Sequence, residues 1–88
     1  MTREIEIERP ASQYAELRGW FEVKIMQASK RGFPDRFYAR AGRVVLVEYK
    51  APGEQASTQQ AKRHRELRAA GVEVHVIDNL EVARELFR

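Results

Sequence analysis

Two short strings hold the residues best suited to chemistry, Pro34-Asp35 and Glu48-Tyr49-Lys50. Side chains alternate across a strand, so Glu48 and Lys50 share one face while Tyr49 points the other way. The run before them, Val44-Val45-Leu46-Val47, is continuously apolar and rich in valine, as a buried strand requires. A carboxylate and an ammonium delivered side by side at the end of a core strand suit a site better than a structural terminus. If Ala41-Gly42 is a two-residue hairpin turn, Arg40 opposes Arg43 and Asp35 opposes Glu48. Two carboxylates facing each other across paired strands repel. That pairing makes sense around a divalent cation, and hard oxygen donors select magnesium or manganese. A longer turn would shift the register and leave both acids as solvent-facing strand ends, with Lys50 in a surface salt bridge worth little. Spacing alone leaves both readings open.

The elements that must position these residues are legible from periodicity. Residues 3–19 form a first helix with the stripe Ile7, Ala11, Tyr14 and Leu17, closed by Gly19. Pro10 must lie in its first turn or kink it, the alternative being an extended Met1–Glu6. Trp20–Ile25 alternates as a half-buried strand, with Phe21, Val23 and Ile25 on one face and Glu22 and Lys24 on the other. A polar, basic loop follows through Gly32. Phe33-Pro34-Asp35 opens a second strand through Tyr38, and 43–50 is the third. Ala51-Pro52-Gly53 stops it. Ser57-Thr58-Gln59-Gln60 reads as a capping box, starting a helix that runs to about Ala70 and ends at Gly71. Val72–Ile77 is a strand, and Asp78-Asn79-Leu80-Glu81 caps a last helix with the stripe Leu80, Ala83, Leu86 and Phe87. The order α-β-β-β-α-β-α predicts a small α/β fold, a mixed sheet flanked by helices. Its last strand lies parallel to the central one across a right-handed crossover.

Composition bounds the rest. The 88 residues make one domain, spanning 1–88, and a chain this short favours dimerisation. Hydrophobic residues at 43% and charged residues at 33% are globular proportions. The absence of cysteine excludes a disulfide framework and a thiolate metal site. No apolar run approaches a membrane span and no signal-peptide core is present, so a soluble, cytoplasmic protein is expected. The net charge of +3 favours an acidic partner, and the arginine-rich excess suits phosphate. Lys30, Arg31, Arg36, Arg40 and Arg43 fall around the proposed site, while Lys62, Arg63, Arg65 and Arg68 line a helix. Such charges are usually a solvated face; beside a phosphate site they would track a nucleic-acid backbone without reading its sequence. His64 and His75 have no metal-ligand company and read as surface or partly buried residues. Gln60 has a structural role in the capping box whether or not it takes part in chemistry.

At this point the residues resemble a family. Pro34-Asp35 followed by Glu48-Tyr49-Lys50 matches the PD-(D/E)xK signature of a nuclease superfamily. The longer strings resemble the VRR-NUC domain, the virus-type replication-repair nuclease. They are Gly32-Phe33-Pro34-Asp35-Arg36, Glu48-Tyr49-Lys50-Ala51-Pro52-Gly53, and a Gln three residues after Ser57. Leu67 to Gly71, the following strand and helix, and Lys24 at the end of the first strand fit as well, so the resemblance covers essentially the whole chain.

The resemblance implies a restriction-endonuclease-like fold and a Mg2+- or Mn2+-dependent DNA endonuclease. Asp35 and Glu48 would bind the metal with the backbone carbonyl of Tyr49, Lys50 would orient or deprotonate the attacking water, and Gln60 would help position the water or the metal shell. A first-helix glutamate would be a further ligand; Glu8 fits best, with Glu4 and Glu16 as rivals. Lys24, Lys30, Arg31 and Arg36 would contact DNA. Stand-alone domains of this size look like phage homodimers that cut branched DNA such as four-way (Holliday) junctions, in a bacterial or phage-infected cell. Trp20 and the last helix are the expected dimer surface. The competing reading is a non-catalytic DNA-binding module that keeps the nuclease fold.

Overall fold

The computed structural model describes residues 2–88. Its elements are α1 (Ile5–Leu17), β1 (Phe21–Lys24), β2 (Arg36–Arg40), β3 (Arg43–Tyr49), α2 (Thr58–Ala69), β4 (Glu73–Ile77) and α3 (Leu80–Leu86). The expected element order is present. The four strands form one sheet in the order β1-β2-β3-β4, antiparallel through β3, with β4 parallel to β3.

The β2–β3 hairpin turns on two residues, Ala41 at φ 50° and Gly42 at φ 82°. Two positive φ values in succession define the tight turn whose twist matches a hairpin. The register follows from it, Arg40 opposite Arg43 and Arg36 opposite Val47. Asp35 therefore enters β2 alongside the end of β3, and its N–H donates to the Val47 carbonyl at 3.0 Å.

α1 and α3 cover one face of the sheet. Ile7, Ala11 and Ala15 recur every four residues along α1 and pack with Tyr38, Val45, Val47, Tyr49, Ile77, Ala83 and Phe87 in the core. Leu17, expected on this stripe, is 86% exposed, because the four-residue spacing carries the buried face past it. Pro10 lies inside α1, beyond the first turn where it was expected. There its ring removes one N–H bond, toward Glu6, and crowds the Glu6 carbonyl, a cost of about 3 kcal/mol or more that the packing of α1 must offset. The extended alternative for Met1–Glu6 fails for Ile5 and Glu6, which are helical; Met1 lies outside the described residues.

β1 departs further from expectation. Its apolar face is the outward one, with Phe21 65% and Val23 46% exposed. The inward face carries Glu22 and Lys24, which meet Arg36 and Glu8 rather than the apolar core. Lys24 reaches Glu8 of α1 and Glu22 reaches Arg36 of β2, so polar pairs occupy the covered face of this short edge strand. Phe21, Val23, Ile25, Phe33, Phe37, Val44, Leu46, Leu67 and Val72 consequently line an open apolar depression on the other side of the sheet.

Candidate active site

Asp35, Glu48, Lys50 and Gln60 come together where β2 begins, β3 ends and α2 starts. Asp35 accepts a hydrogen bond at its Oδ2 from the Tyr49 N–H at 2.8 Å, fixing its carboxylate beside the last residue of β3. Glu48 is only 2% exposed and projects toward α2. Both of its oxygens are engaged: Gln60 Nε2 donates to Oε2 at 3.1 Å, and His64 Nε2 lies 3.3 Å from Oε1. Burial, and next the negative charge of nearby Asp35, push the Glu48 carboxyl up to about 8, with Lys50 opposing the rise. Lys50 is held by its backbone N–H, which donates to the Ile77 carbonyl at 2.9 Å. The turn after it is braced by Asp78, which accepts from the Gly53 N–H at 3.0 Å.

The capping box is present, and it orients the Gln60 amide rather than competing with a role at the site. Gln60 Oε1 accepts from the Ser57 N–H at 2.9 Å, so the NH2 end faces Glu48. Gly32 sets the height of this helix end. At φ +82° it packs so closely that a Cβ there would lie 2.7 Å from the Gln59 carbonyl oxygen. Arg63 Nε donates to the Arg31 carbonyl at 2.9 Å, tying the same loop to α2.

The three first-helix glutamates separate clearly. Glu8 is buried on the α1 side of the sheet, accepting from Arg36 Nε at 2.7 Å with Lys24 Nζ 3.6 Å away. Glu4, at the N-cap of α1, has its carboxyl raised by burial and then by the charge of Asp35, while Lys50 lowers it. Glu4 therefore stands within the field of the Asp35–Lys50 cluster. Glu16 is exposed, about 18 Å along α1 from Glu4.

The basic residues also divide. Lys30 and Arg31 are exposed on the 26–32 loop, in an open groove that includes Pro34 and Asp35. Arg36 is mostly covered, bound by Glu8 and by Glu22 at 2.5 Å, and Lys24 is half exposed beside it. Arg40 and Arg43 do not surround the site. They sit at the hairpin end, about 17 Å away along the strands. There Arg40 lies over the Trp20 ring at 4.5 Å, and Arg43 pairs with Glu73 at 2.5 Å. The alternating pattern placed their side chains, but the hairpin reverses the chain and carries them to the opposite end. Trp20, expected on a dimer surface, is 3% exposed and donates Nε1–H to the Phe87 carbonyl at 3.1 Å.

His64 was expected at the surface or partly buried and is instead fully buried, at 2% exposure. Burial, and next the charge of Arg68, lower its pKa. Its four-residue spacing from Gln60 was the available signal, since it puts both on one helical face.

Among the described residues, no three His, Cys, Asp or Glu side chains converge as a complete metal cage. The donors present fit magnesium all the same. Magnesium keeps several waters and takes one or two carboxylates. A buried carboxyl lifted by a neighbouring carboxylate is an arrangement that a cation relieves.

A small mixed sheet ending in Asp35, Glu48 and Lys50 has the form of a PD-(D/E)xK nuclease. No family model matches the chain. Over 84 residues it is 33% identical to "Putative nuclease p44" of Acyrthosiphon pisum secondary endosymbiont phage 1, covering 94% of this chain and 90% of that protein. A solved structure described as a "VRR_NUC domain" matches with a TM-score of 0.86 at 23% identity, covering 98% of this chain and 95% of that one. The chain belongs to the same family as that phage protein and has the fold of a VRR-NUC domain. No described helix is long and apolar enough to cross a membrane.

Proposed function

We propose that residues 1–88 act as one metal-dependent DNA endonuclease unit, working as a homodimer on branched DNA such as four-way junctions. The observation that carries the reading is the meeting of the Asp35 and Glu48 carboxyls beside Lys50 at one end of the sheet. Asp35, Glu48 and the Tyr49 carbonyl would hold magnesium or manganese. A cation bound there supplies Lewis acidity at the phosphate and a water of lowered pKa. Lys50 adds a fixed positive charge where charge builds on the phosphate oxygens, and orients the attacking water. Gln60 holds Glu48 in place. Of the first-helix acids, Glu4 is the stronger candidate for the third ligand, because its carboxyl feels Asp35 and Lys50 while Glu8 is neutralised by Arg36 and Lys24.

Lys30 and Arg31 stand exposed beside Asp35 and suit the phosphate backbone, with Lys24 and Arg36 behind them. The open apolar sheet face offers a surface for a second copy, and a two-fold dimer supplies the two matched incisions that a symmetric junction needs. The setting would be a bacterial or phage-infected cell, as the phage relative suggests. Cleavage of a labelled four-way junction, beside linear duplex and single strand in magnesium, tests the substrate. Selective, paired incision of the junction supports the reading, and equal cutting of all three removes the junction assignment. Junction binding of equal strength in magnesium and in chelator, with no cutting, would make the protein a DNA-binding module.

A further inference from the structure

We infer that His64 is a positioning residue of the metal centre, gripping Glu48 together with Gln60 so that its carboxylate is presented beside Asp35. The inference rests on the reading of Asp35 and Glu48 as metal ligands. The two α2 side chains stand one turn apart and take one Glu48 oxygen each, Gln60 at 3.1 Å and His64 at 3.3 Å. Glu48 is therefore held at both oxygens from a single helix face, and its side chain cannot rotate without breaking a bond. Each donor is itself fixed. Gln60 is oriented by the Ser57 N–H at 2.9 Å, and His64 by burial to 2% exposure. With Glu48 a carboxylate, the hydrogen between it and the imidazole sits on His64 Nε2. That burial keeps His64 away from any substrate, so it acts through Glu48 alone. Hydrogen bonds to a ligating carboxylate set its orientation, and their loss costs about 10–100-fold in metal affinity.

The test is calorimetric titration of Mn2+ into metal-stripped protein, for wild type and for H64Q, H64N and H64L. A glutamine amide nitrogen reaches the place of Nε2, whereas an asparagine amide stops short, at the place of Nδ1. Both amides are polar, so the pair separates the position of the donor from the polarity of the buried site. The expected result is a dissociation constant raised about 10–100-fold in H64N and H64L and close to wild type in H64Q. DNA affinity in chelator should be the same in all four proteins. Should H64L fail to fold, the contrast between H64N and H64Q still decides. Equal dissociation constants in wild type and the variants overturn the inference, as does a loss in H64Q as large as in H64N. Wild type without saturable Mn2+ binding removes the metal-site reading itself, and His64 with it; that result is distinct from binding which the variants leave unchanged.

Discussion

At the scale of single residues, Glu48 decides most. Its carboxyl is pushed up to about 8 from the usual 4.5 by burial and by Asp35. The folded state therefore binds this proton more tightly than the unfolded chain. The contribution of Glu48 to metal-free stability should be fully present below about pH 4.5 and be lost as pH rises through about 8; replacing the group by E48Q should flatten that slope in a thermal-melting series. A divalent ion should act in the opposite direction, since ligation needs the deprotonated carboxylate. At ten times its dissociation constant, magnesium should stabilise wild type by about 1.4 kcal/mol, or about 5–10 °C in melting temperature. In D35N that shift should vanish. The strings Pro34-Asp35 and Glu48-Tyr49-Lys50 made this pair legible in advance because a short hairpin fixes which residues oppose. The ion pairs of Glu8 with Arg36 and Lys24 were not legible, since they join α1 to two strands and have no local spacing.

At the scale of elements, the site depends on how the 26–32 loop and α2 meet. Gly32 combines a positive φ with a backbone approach that leaves no room for a methyl group. G32A should cost about 1–3 kcal/mol of stability and weaken metal binding as well, because it displaces Gln60. Gly42 shares the positive φ but has open space around it, so G42A should lower the melting temperature without touching metal affinity. The same hairpin holds an ordinary residue, Ala41, at φ 50°. A41N, which supplies the residue this turn favours, should raise stability by about 0.5–1 kcal/mol. Caps and turns of this kind, including the Ser57–Gln60 box and the two-residue hairpin, were readable because each rests on contacts within a few residues. The facing of β1 was not. Alternation marks two faces of a strand without saying which one a helix covers, and here the covered face is the polar one, with Lys24 against Glu8 of α1 and Glu22 against Arg36 of β2.

At the scale of the whole molecule, one sheet face is closed by α1 and α3 while the other is only partly covered by α2. That asymmetry leaves Phe21, Val23 and Val44 in the open. If this face joins two copies, wild type should sediment as a dimer and V23K as a monomer that still binds magnesium. A monomeric wild type would contradict the dimer. Charge at this scale is uneven as well. Arg40 and Arg43 lie at the hairpin end, beside Trp20 and Glu73, so the exposed Lys30 and Arg31 add to Lys50 at the site where Arg40 and Arg43 do not. DNA affinity should fall steeply with salt, and K30A/R31A should reduce that slope by about 2.

Metal-dependent cleavage through Lys50 is tested by single-turnover cutting of labelled DNA by wild type and K50A, in magnesium and in chelator. Wild type should cut in magnesium and not in chelator, with the K50A rate at least about 100-fold lower and its melting temperature little changed. Cutting that survives chelator, or a folded K50A that cuts like wild type, would contradict metal-dependent cleavage through Lys50.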